Sequence, residues 1–292
     1  MTPLTYEEKK FLKRALKQDS GRGDLTACIF DGETGAARIM AENDCVLSGM
    51  EAMEFLFEWA GAKMNFLDGV RSGSICGKGE VIATAEGPME ALLRVERVAL
   101  NMISRMSAIA TVARKASDIA ERASPGARAA GTRKTTPMFS HFEKRALIDG
   151  GALPHRLDLS SMAMLKDNHL ASLGGGPEAV MFGVEMIRER YGPYVNIEVE
   201  VEDIPSGLAA VEAGADMIML DNFTPEGISK ASREIRKHAD DLGKQITLEA
   251  SGGVTLDNLG LYAPHVDVVS MGMLTYGAPA VGFKMEYMDK DQ

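Results

Sequence analysis

Cysteine, aromatic residues and long apolar runs are scarce in this sequence, and each scarcity excludes a class of protein. The three cysteines, Cys28, Cys45 and Cys76, are spaced for neither a zinc site nor a redox pair, and they are interpreted as reduced thiols. No apolar segment approaches the length needed to cross a bilayer, and the polar start MTPLTYEEKKFLKR predicts no signal peptide. The expected protein is therefore cytoplasmic, without a membrane partner.

Positive charge is also in deficit, because the formal net charge is −10. A protein that binds the phosphate backbone of a nucleic acid needs a basic surface, so no nucleic-acid partner is expected. What the chain does have is length and apolar content. Its 292 residues are 45% hydrophobic, which is enough for two ordinary domains or for one barrel with an added domain.

The local pattern changes near ASPGA, at residues 123–127, and this change predicts a domain boundary. Before it, short alternating segments are mixed with helices in an α+β order. Thr5 and Glu8 form a possible capping box for the first helix, and a second helix is predicted over residues 50–60. A long helix is predicted over residues 88–124, with Ser107 as a candidate break.

After the boundary, strands alternate with helices, and six or seven βα units predict a parallel sheet that is either open or closed into a barrel. We therefore assign an α/β fold. The first domain is predicted over residues 1–125 and the barrel domain over residues 126–276. Residues 277–292 are expected to pack back on the first domain.

Polar residues or glycines follow each predicted strand of the second domain. In parallel α/β folds the carboxyl ends of the strands form the active-site face, so these residues are the candidate site. They are Thr132, Arg133 and Lys134; Lys166, Asp167 and Asn168; Glu198 and Glu200; Asp221 and Asn222; Ser251, Gly252 and Gly253; and Gly272.

The last two strand ends carry glycine-bearing loops, ASGGV and SMGML, of the kind that lets backbone amides approach a phosphate. Thr255 is predicted to begin a helix whose N-terminus faces that phosphate. The segment from residue 131 to residue 170 is a basic island in an acidic chain, and the arginine fork suits carboxylates or phosphates. A histidine such as His155, taken alone, is more often a packed structural residue than a ligand, and His141 and His169 are interpreted as structural.

Several motifs together resemble quinolinate phosphoribosyltransferase, and the resemblance extends over nearly the whole chain. They are TRKTTP, GGALPHRLDL, LKDNHL, IEVEVED, MLDNF and ASGGV, with GRGDLT and EGPMEALLRVERVALNMISRMSAIAT in the first half. The resemblance implies an N-terminal open-faced α/β sandwich domain and an incomplete, seven-stranded α/β barrel. It also implies Mg²⁺-dependent conversion of quinolinate and 5-phosphoribosyl-1-pyrophosphate to nicotinate mononucleotide, pyrophosphate and CO₂ for NAD biosynthesis, by a homodimer or a multiple of dimers.

The same resemblance implies roles for individual residues. Quinolinate is expected to bind Arg133, Lys134, His155, Arg156 and Lys166, together with Arg97 from the partner subunit. Glu200 and Asp221 are expected at the ribose and Mg²⁺, and they join Lys134 and Lys166 as the catalytic residues. Glu200 is taken instead of Glu198 because it is the second glutamate of the EVEV match. The 5-phosphate is expected on Ser251, Gly252, Gly253 and Gly272. Without the resemblance, the basic helical face of Arg94, Arg97, Asn101 and Arg105 is typical of solvated surface.

Three positions depart from the family pattern. Asp158 stands where a glycine is usual in HRxGL, Met138 replaces a common glycine after Pro137, and Tyr276 lies where many members have histidine. They leave open a ModD-like phosphoribosyltransferase that acts on another aromatic acid, although Lys166, Asp167 and Asn168 favour the carboxylating enzyme. A non-catalytic phosphoribosyl-pyrophosphate sensor and a phosphate-binding barrel isomerase or aldolase are further alternatives. Both fit less well, because the intact acidic and basic candidates disfavour a sensor and the isomerase leaves the basic island unexplained.

Overall fold

The computed structural model describes residues 3–288 of the chain. Its helices and strands, in chain order, are α1 (Tyr6–Ser20), β1 (Thr34–Ala41), β2 (Cys45–Val46), α2 (Met50–Ala60), β3 (Lys63–Phe66), β4 (Ile75–Cys76), β5 (Val81–Pro88), α3 (Met89–Ala123), β6 (Arg128–Ala130), α4 (Ser140–Asp149), β7 (Ala163–Leu165), α5 (Asp167–Ser172), α6 (Gly176–Tyr191), β8 (Ile197–Val201), α7 (Ile204–Ala213), β9 (Met217–Asp221), α8 (Pro225–Asp241), β10 (Thr247–Ser251), α9 (Leu259–Tyr262), β11 (Val268–Ser270), α10 (Met273–Tyr276) and β12 (Phe283–Met288). Short 3₁₀ turns cover Ala27–Phe30, Gly192–Tyr194 and Ala263–His265. Among the described residues no helix combines the length and the apolar character that spanning a membrane requires.

Contacts divide the chain into two units, and the division does not follow a single cut. The first unit contains the chain up to Arg114, the segment Thr136–Gly151 and the chain from Gly277 onward. The second contains Lys115–Thr135 and Ala152–Tyr276. The predicted boundary at residue 125 ignores this interleaving, since α3 contributes to both units and α4 belongs to the first.

The first unit is built on an antiparallel sheet with the strand order β12-β1-β5-β3. Strand β1 buries Ala37, Ile39 and Ala41 on alternate positions, as expected of a strand with one face on a core. Strand β12 pairs antiparallel with β1 at the edge of this sheet. Of the predicted tail, residues 289–292 lie outside the described residues.

The second unit holds a parallel sheet of six strands in the order β6-β11-β10-β9-β8-β7. A single parallel bridge joins Leu153 to Ala130 beside β6 and takes the place of a seventh strand. Between β6 and β11 the outward-facing residues are small or branched and buried, which is the pattern of strands covered by helices. This open sheet is consistent with the predicted incomplete α/β barrel.

Two helix predictions in the first unit are confirmed. Thr5 and Glu8 form the predicted capping box of α1, and α2 has the predicted bounds, ending at Gly61 with φ 95°. The candidate break at Ser107 is wrong, because α3 runs without interruption from Met89 to Ala123. The Ser107 hydroxyl is buried and exchanges hydrogen bonds with the backbone of Ser48, so it does not compete with the helix backbone.

Candidate active site

A cavity of about 340 Å³ opens at the carboxyl ends of the parallel strands in the second unit. It brings together nine of the residues predicted from the strand ends or the resemblance, namely Thr132, Arg133, Lys134, His155, Arg156, Lys166, Glu200, Asp221 and Ser251. Met164, Met219 and Ser270 also line it and were not among the candidates. Met164 and Met219 lie within strands β7 and β9 and Ser270 ends β11, so the rule that looks after each strand could have found only Ser270.

Strand register explains why these residues meet. Glu200 of β8 pairs with Met219 of β9, and Asp221 of β9 pairs with Ser251 of β10. Because side chains alternate between the two faces of a strand, residues two apart on one strand share a face with their register partners. Glu198 therefore lies on the same face as Glu200, one step deeper, and Glu249 lies one step deeper than Ser251.

Lys166 and Glu200 form an ion pair at the edge of the cavity, with Nζ and Oε2 2.6 Å apart. The Lys166 backbone is held by its own helix, since its N–H donates to Nδ1 of His169 over 3.0 Å. His169, interpreted from the sequence as structural, thus fixes the start of α5 directly behind the lysine. The Glu200 side chain is only 10% exposed, whereas the Lys166 side chain is 43% exposed, so the carboxylate is the shielded member of the pair.

Asp221 lies beside this pair at the end of β9. Burial, followed by the charge of Glu200, raises its pKa above the ordinary value, and Lys166 partly offsets the effect. One Asp221 oxygen accepts a hydrogen bond of 2.6 Å from the Asn222 side chain. Asn222 has φ 58°, a left-handed conformation that asparagine tolerates better than most residues. Two carboxylates, Glu200 and Asp221, are therefore fixed next to each other at one end of the cavity.

Arg156 is 9% exposed, and its guanidinium contacts only weak fixed partners among the described residues. Its N–H groups point to Met162 O at 3.4 Å and to Met164 Sδ at 3.2 Å. Burial, followed by repulsion from Arg133, lowers the pKa of Arg156. Two guanidiniums that repel each other, with donors not saturated by the protein, form a site that a bound anion stabilises.

His155 has φ 56°, and its ring lies between two buried glutamates. Its Nε2 is 3.3 Å from Glu249 Oε2 and 3.6 Å from Glu198 Oε2. Burial lowers the pKa of His155, but the two carboxylates outweigh it and raise the pKa to about 9. Burial also raises the pKa of Glu198, against the effect of His155. Sequence reasoning weighed Glu198 only as an alternative to Glu200 and gave Glu249 no role.

The glycine loop after β10 is shaped by close packing. Gly252 has φ 87°, and a Cβ at this position would lie 2.2 Å from Oδ1 of Asn222. Only glycine fits there without displacing Asn222. A Cβ on Gly272 would approach Lys134 Cδ to 2.9 Å and the Tyr276 ring to 2.8 Å. Gly252, Gly253 and Gly272 do not line the cavity itself but form the loops next to Ser251 and Ser270.

The predicted helix at Thr255 is wrong. Helix α9 begins only at Leu259, and residues 256–258 form a turn. The Asn258 side chain accepts the Thr255 N–H at 2.7 Å and donates to Gly253 O at 3.2 Å, which satisfies the backbone in the turn. The loop therefore has no helix N-terminus at Thr255.

Two of the three departures from the family pattern have local explanations. Asp158 Oδ1 accepts hydrogen bonds from Ser160 N–H, Ser160 Oγ and Ser161 Oγ, at 2.8, 2.7 and 2.9 Å. These bonds, that of the Ser160 hydroxyl first, lower the Asp158 pKa to about 2. Met138 has φ 67°, in the left-handed region that glycine adopts more readily than other residues. Asp158 therefore caps its own loop.

Arg97 belongs to the first unit and does not line the cavity of the second. Its side chain is 64% exposed and lies 3.9 Å from Glu96. Its neighbours on the helical face are engaged within the first unit, since Arg94 donates to Ala60 O at 3.1 Å and Arg105 to Glu143 Oε1 at 2.7 Å. On the predicted basic face, Arg97 is therefore a largely exposed arginine, whereas Arg94 and Arg105 are hydrogen-bonded within the first unit.

A parallel α/β sheet with a cationic pocket, two adjacent carboxylates and a glycine loop at its carboxyl end is suited to bind anionic ligands at the face where such folds place their active sites. Comparison with known proteins specifies the class. The profile for the quinolinate phosphoribosyl transferase N-terminal domain matches residues 24–107, and that for the C-terminal domain matches residues 109–286. The chain belongs to the quinolinate phosphoribosyltransferase family and is accordingly a pentosyltransferase.

Several relatives in the comparisons share the name nicotinate-nucleotide pyrophosphorylase [carboxylating]. The chain is 36% identical over 277 residues to the human nicotinate-nucleotide pyrophosphorylase [carboxylating], covering 94% of this chain and 90% of that protein. It is 34% identical over 295 residues to the Dictyostelium discoideum protein of the same name, covering 96% of each. Among solved structures, NadC from Streptococcus pyogenes superposes with a TM-score of 0.89 at 30% identity, covering 99% of this chain and all of that one (100%).

Proposed function

We propose that this protein transfers phosphoribosyl from 5-phosphoribosyl-1-pyrophosphate to the ring nitrogen of quinolinate and releases pyrophosphate and CO₂, leaving nicotinate mononucleotide. One observation carries the proposal. Four Lys or Arg side chains line the cavity, Arg133, Lys134, Arg156 and Lys166, against two carboxylates, Glu200 and Asp221. The excess of two positive charges matches a dianionic acid better than a monoanionic one.

The two ends of the cavity serve different parts of the reaction. At one end Arg133 and Arg156 bind the quinolinate carboxylates and orient the ring nitrogen toward the ribose. At the other end Glu200 and Asp221 stabilise the positive charge that develops on the ribose as pyrophosphate leaves. The 5-phosphate is held by Ser251 and by the backbone of Gly252, Gly253 and Gly272. Loss of CO₂ leaves a carbanion next to the quaternary nitrogen, Lys134 and Lys166 supply nearby positive charge, and a proton from solvent then replaces the lost CO₂ on the ring carbon.

Magnesium is proposed as the cofactor, because the donor set at the ribose end suits it. Glu200 and Asp221 present carboxylate oxygens, the ligands that Mg²⁺ prefers, and they are adjacent on neighbouring strands. When bound with the pyrophosphate group, Mg²⁺ would neutralise the charge on the leaving group. The chain's own task is to hold the two carboxylates at a fixed distance from the acceptor pocket.

The reaction is tested by incubating the protein with 5-phosphoribosyl-1-pyrophosphate, Mg²⁺ and either quinolinate or nicotinate, and measuring nicotinate mononucleotide by liquid chromatography and CO₂ from labelled quinolinate. We expect nicotinate mononucleotide and CO₂ in the reaction with quinolinate but not in the reaction with nicotinate. Chelation of Mg²⁺ should abolish both products. Equal rates with nicotinate would sink the proposal, because nicotinate lacks the second carboxylate that the excess positive charge requires.

We further propose a homodimer in which Arg97 enters the neighbouring subunit's site. Support comes from its 64% exposed side chain, while Arg94 and Arg105 are engaged within their own unit. Arg97→Ala and Asp221→Ala, each inactive alone, are mixed in equal amounts, denatured and refolded. With sharing between subunits, half of the dimers are mixed and each has one intact site, so about a quarter of the wild-type activity returns. No recovery, with mixed dimers seen by native mass spectrometry, would remove Arg97 from this role.

A cytoplasmic location is proposed as well. The cysteines Cys28, Cys45 and Cys76 are free thiols, which a reducing compartment preserves. Fractionation of the source cells with an antibody against the protein tests this, and recovery in an exported or membrane fraction would contradict it.

A further inference from the structure

Directly beneath the proposed quinolinate pocket lies a cluster of three residues that the reaction above does not use fully: His155, Glu198 and Glu249. Glu198 and Glu249 are 0% exposed, and the His155 side chain is 8% exposed. One ligand atom from each lies within 4.8 Å of the other two. His155 also lines the cavity, so it is the member of the cluster that connects the buried glutamates to the substrate.

The carboxylates of this cluster lack hydrogen-bond donors. Both side-chain oxygens of Glu198 and of Glu249 have no hydrogen-bond partner within the part of the chain that the structure describes, and neither has His155 Nε2. Nε2 is 3.3 Å and 3.6 Å from the nearest oxygens, slightly beyond a well-formed hydrogen bond. A buried carboxylate without a counter-charge is strongly destabilising, so positive charge has to reside here.

The candidate sources of that charge are a proton on His155 and a divalent cation. Imidazole and carboxylate donors are suited to either. The Arg156 guanidinium, next in the chain, already acts on Glu198 electrostatically, and a second, doubly charged ion beside it would be repelled. A single proton between the ring and the two carboxylates balances the cluster with less repulsion. The imidazolium is therefore the better occupant.

We propose that Glu198 and Glu249 are positioning residues that hold His155 as an imidazolium at the floor of the cavity, where it meets quinolinate as a fixed cationic donor. The proposal rests on the proposed function, because it gives the cluster a role in binding that substrate. A histidine free in water is largely neutral at pH 7.5 and would offer quinolinate no charge. Held by the glutamates, it adds a positive charge beside Arg133 and Arg156.

The proton state follows from the groups that face the ring. These are Glu198 on β8, Glu249 on β10 and Arg156 on its own segment; the other charged groups of the cavity are Arg133, Lys134, Lys166, Glu200 and Asp221. With the pKa of His155 raised from 6.5 to about 9, the ring keeps its proton up to about pH 9. If the carboxylates are removed and the ordinary pKa of 6.5 returns, only about a tenth of the rings are charged at pH 7.5.

The first test uses the wild-type protein without substrate. Protein labelled with ¹⁵N-histidine is examined by NMR from pH 6 to pH 10, and the His155 signals are assigned by their loss in His155→Asn. We expect imidazolium shifts at pH 7.5 and deprotonation only near pH 9. A neutral ring at pH 7.5 would overturn the proposal, and this result does not depend on which substrate the enzyme uses.

The second test measures kinetics in Glu198→Gln, Glu249→Gln and the double variant. We expect the KM for quinolinate at pH 7.5 to rise up to about tenfold, while the KM for 5-phosphoribosyl-1-pyrophosphate changes less than about twofold. The rise should shrink at pH 6, where a free histidine is protonated. Glu234→Gln, which removes an exposed charge paired with Lys230 on α8, is the matched control and should behave as wild type.

The outcomes separate the alternatives. Equal rises in both KM values, or a rise that is the same at pH 6 and pH 7.5, would mean that the glutamates are merely structural. The purified protein is dialysed against a chelator and its metal content is measured by mass spectrometry. One retained equivalent of a divalent metal would mean that a metal ion, and not a proton, supplies the positive charge of the cluster. A wild-type enzyme that ignores quinolinate would refute the proposed function, while the NMR result on the ring would stand by itself.

Discussion

The substitution Arg156→Lys asks whether the arginine fork, as distinct from its charge, binds quinolinate. In the structure Arg156 has only a 3.4 Å contact to Met162 O and a 3.2 Å contact to Met164 Sδ, both weak. Its hydrogen bonds therefore contribute little to the fold, while its side chain lines the cavity. Lysine keeps the charge but cannot form two parallel hydrogen bonds to one carboxylate.

The magnitude follows from the contact that is lost. Breaking a charged hydrogen-bonded pair costs roughly 2–3 kcal/mol, so kcat/KM for quinolinate should fall roughly 30- to 150-fold. The thermal midpoint should move by about a degree or two at most, since the fold loses only weak contacts. Kinetics with both substrates and differential scanning calorimetry measure the two effects independently.

A matched arginine controls for the change of residue type. Arg236 lies in the same unit and is ion-paired to Asp267 at 3.0 Å, but it does not line the site cavity. Arg236→Lys should leave the quinolinate kinetics unchanged. If Arg156→Lys instead lowers the thermal midpoint strongly with normal kinetics, Arg156 is structural and the cationic pocket has to be reassigned.

Two further predictions concern other parts of the chain. In Gly252→Ala the new side chain has to adopt a strained φ of 87° and its Cβ would lie 2.2 Å from Asn222. We expect the free energy of unfolding in urea to fall by about 1–3 kcal/mol and the KM for 5-phosphoribosyl-1-pyrophosphate to rise. An unchanged KM would exclude the loop from phosphate binding. Burial, partly offset by a hydrogen bond from Ser48, raises the pKa of Asp149 from 3.8 to about 6. The folded state therefore holds this proton more tightly, and the charged form destabilises the fold above about pH 6. Asp149→Asn should stabilise by about 1–2 kcal/mol at pH 8 and hardly at pH 4 in urea unfolding, and the same gain at both values would refute the titration argument.

Much of the site was predictable, because it follows from a local rule. Strands are visible as short apolar runs, and the residue after each run marks the edge of the sheet. That rule alone selected Arg133, Lys166, Glu200, Asp221 and Ser251, all of which line the cavity. The identity of the sheet neighbours was not needed, since in a parallel sheet all carboxyl ends lie at the same edge.

Depth within the sheet could not be predicted in the same way. Glu198 and Glu249 each precede a predicted site residue by two positions, so period-two alternation places them on its face. Whether that face at that level is wet or buried depends on all the neighbouring strands together. The same limit explains Thr255, where the Asn258 side chain stabilises a turn that competes with the predicted helix.

The division into units escaped prediction for a related reason. Segment Thr136–Gly151 lies in sequence between β6 and the Leu153 bridge, yet its contacts are with the first unit. Glu143 is buried there, where it accepts hydrogen bonds from Arg105 on α3 and from Thr136. Such pairings join residues that are far apart in the sequence. A prediction made along the chain places a segment in the same domain as the residues next to it, so it could not detect them.

Lys166 links the two ends of the proposed cavity. By contact it belongs to the ribose end, because its ammonium lies 2.6 Å from Glu200. Its positive charge also serves the quinolinate end, because it is part of the excess of two positive charges in the cavity. In the free protein Lys166 neutralises Glu200, so this 10% exposed carboxylate is not left without a counter-charge. A positive charge developing on the ribose would interact with the Glu200 carboxylate in competition with Lys166. The Lys166 ammonium would then be less neutralised by Glu200 and could stabilise negative charge on the acceptor ring. In the proposed reaction, the ion pair would thus couple departure of pyrophosphate to stabilisation of the ring that takes its place.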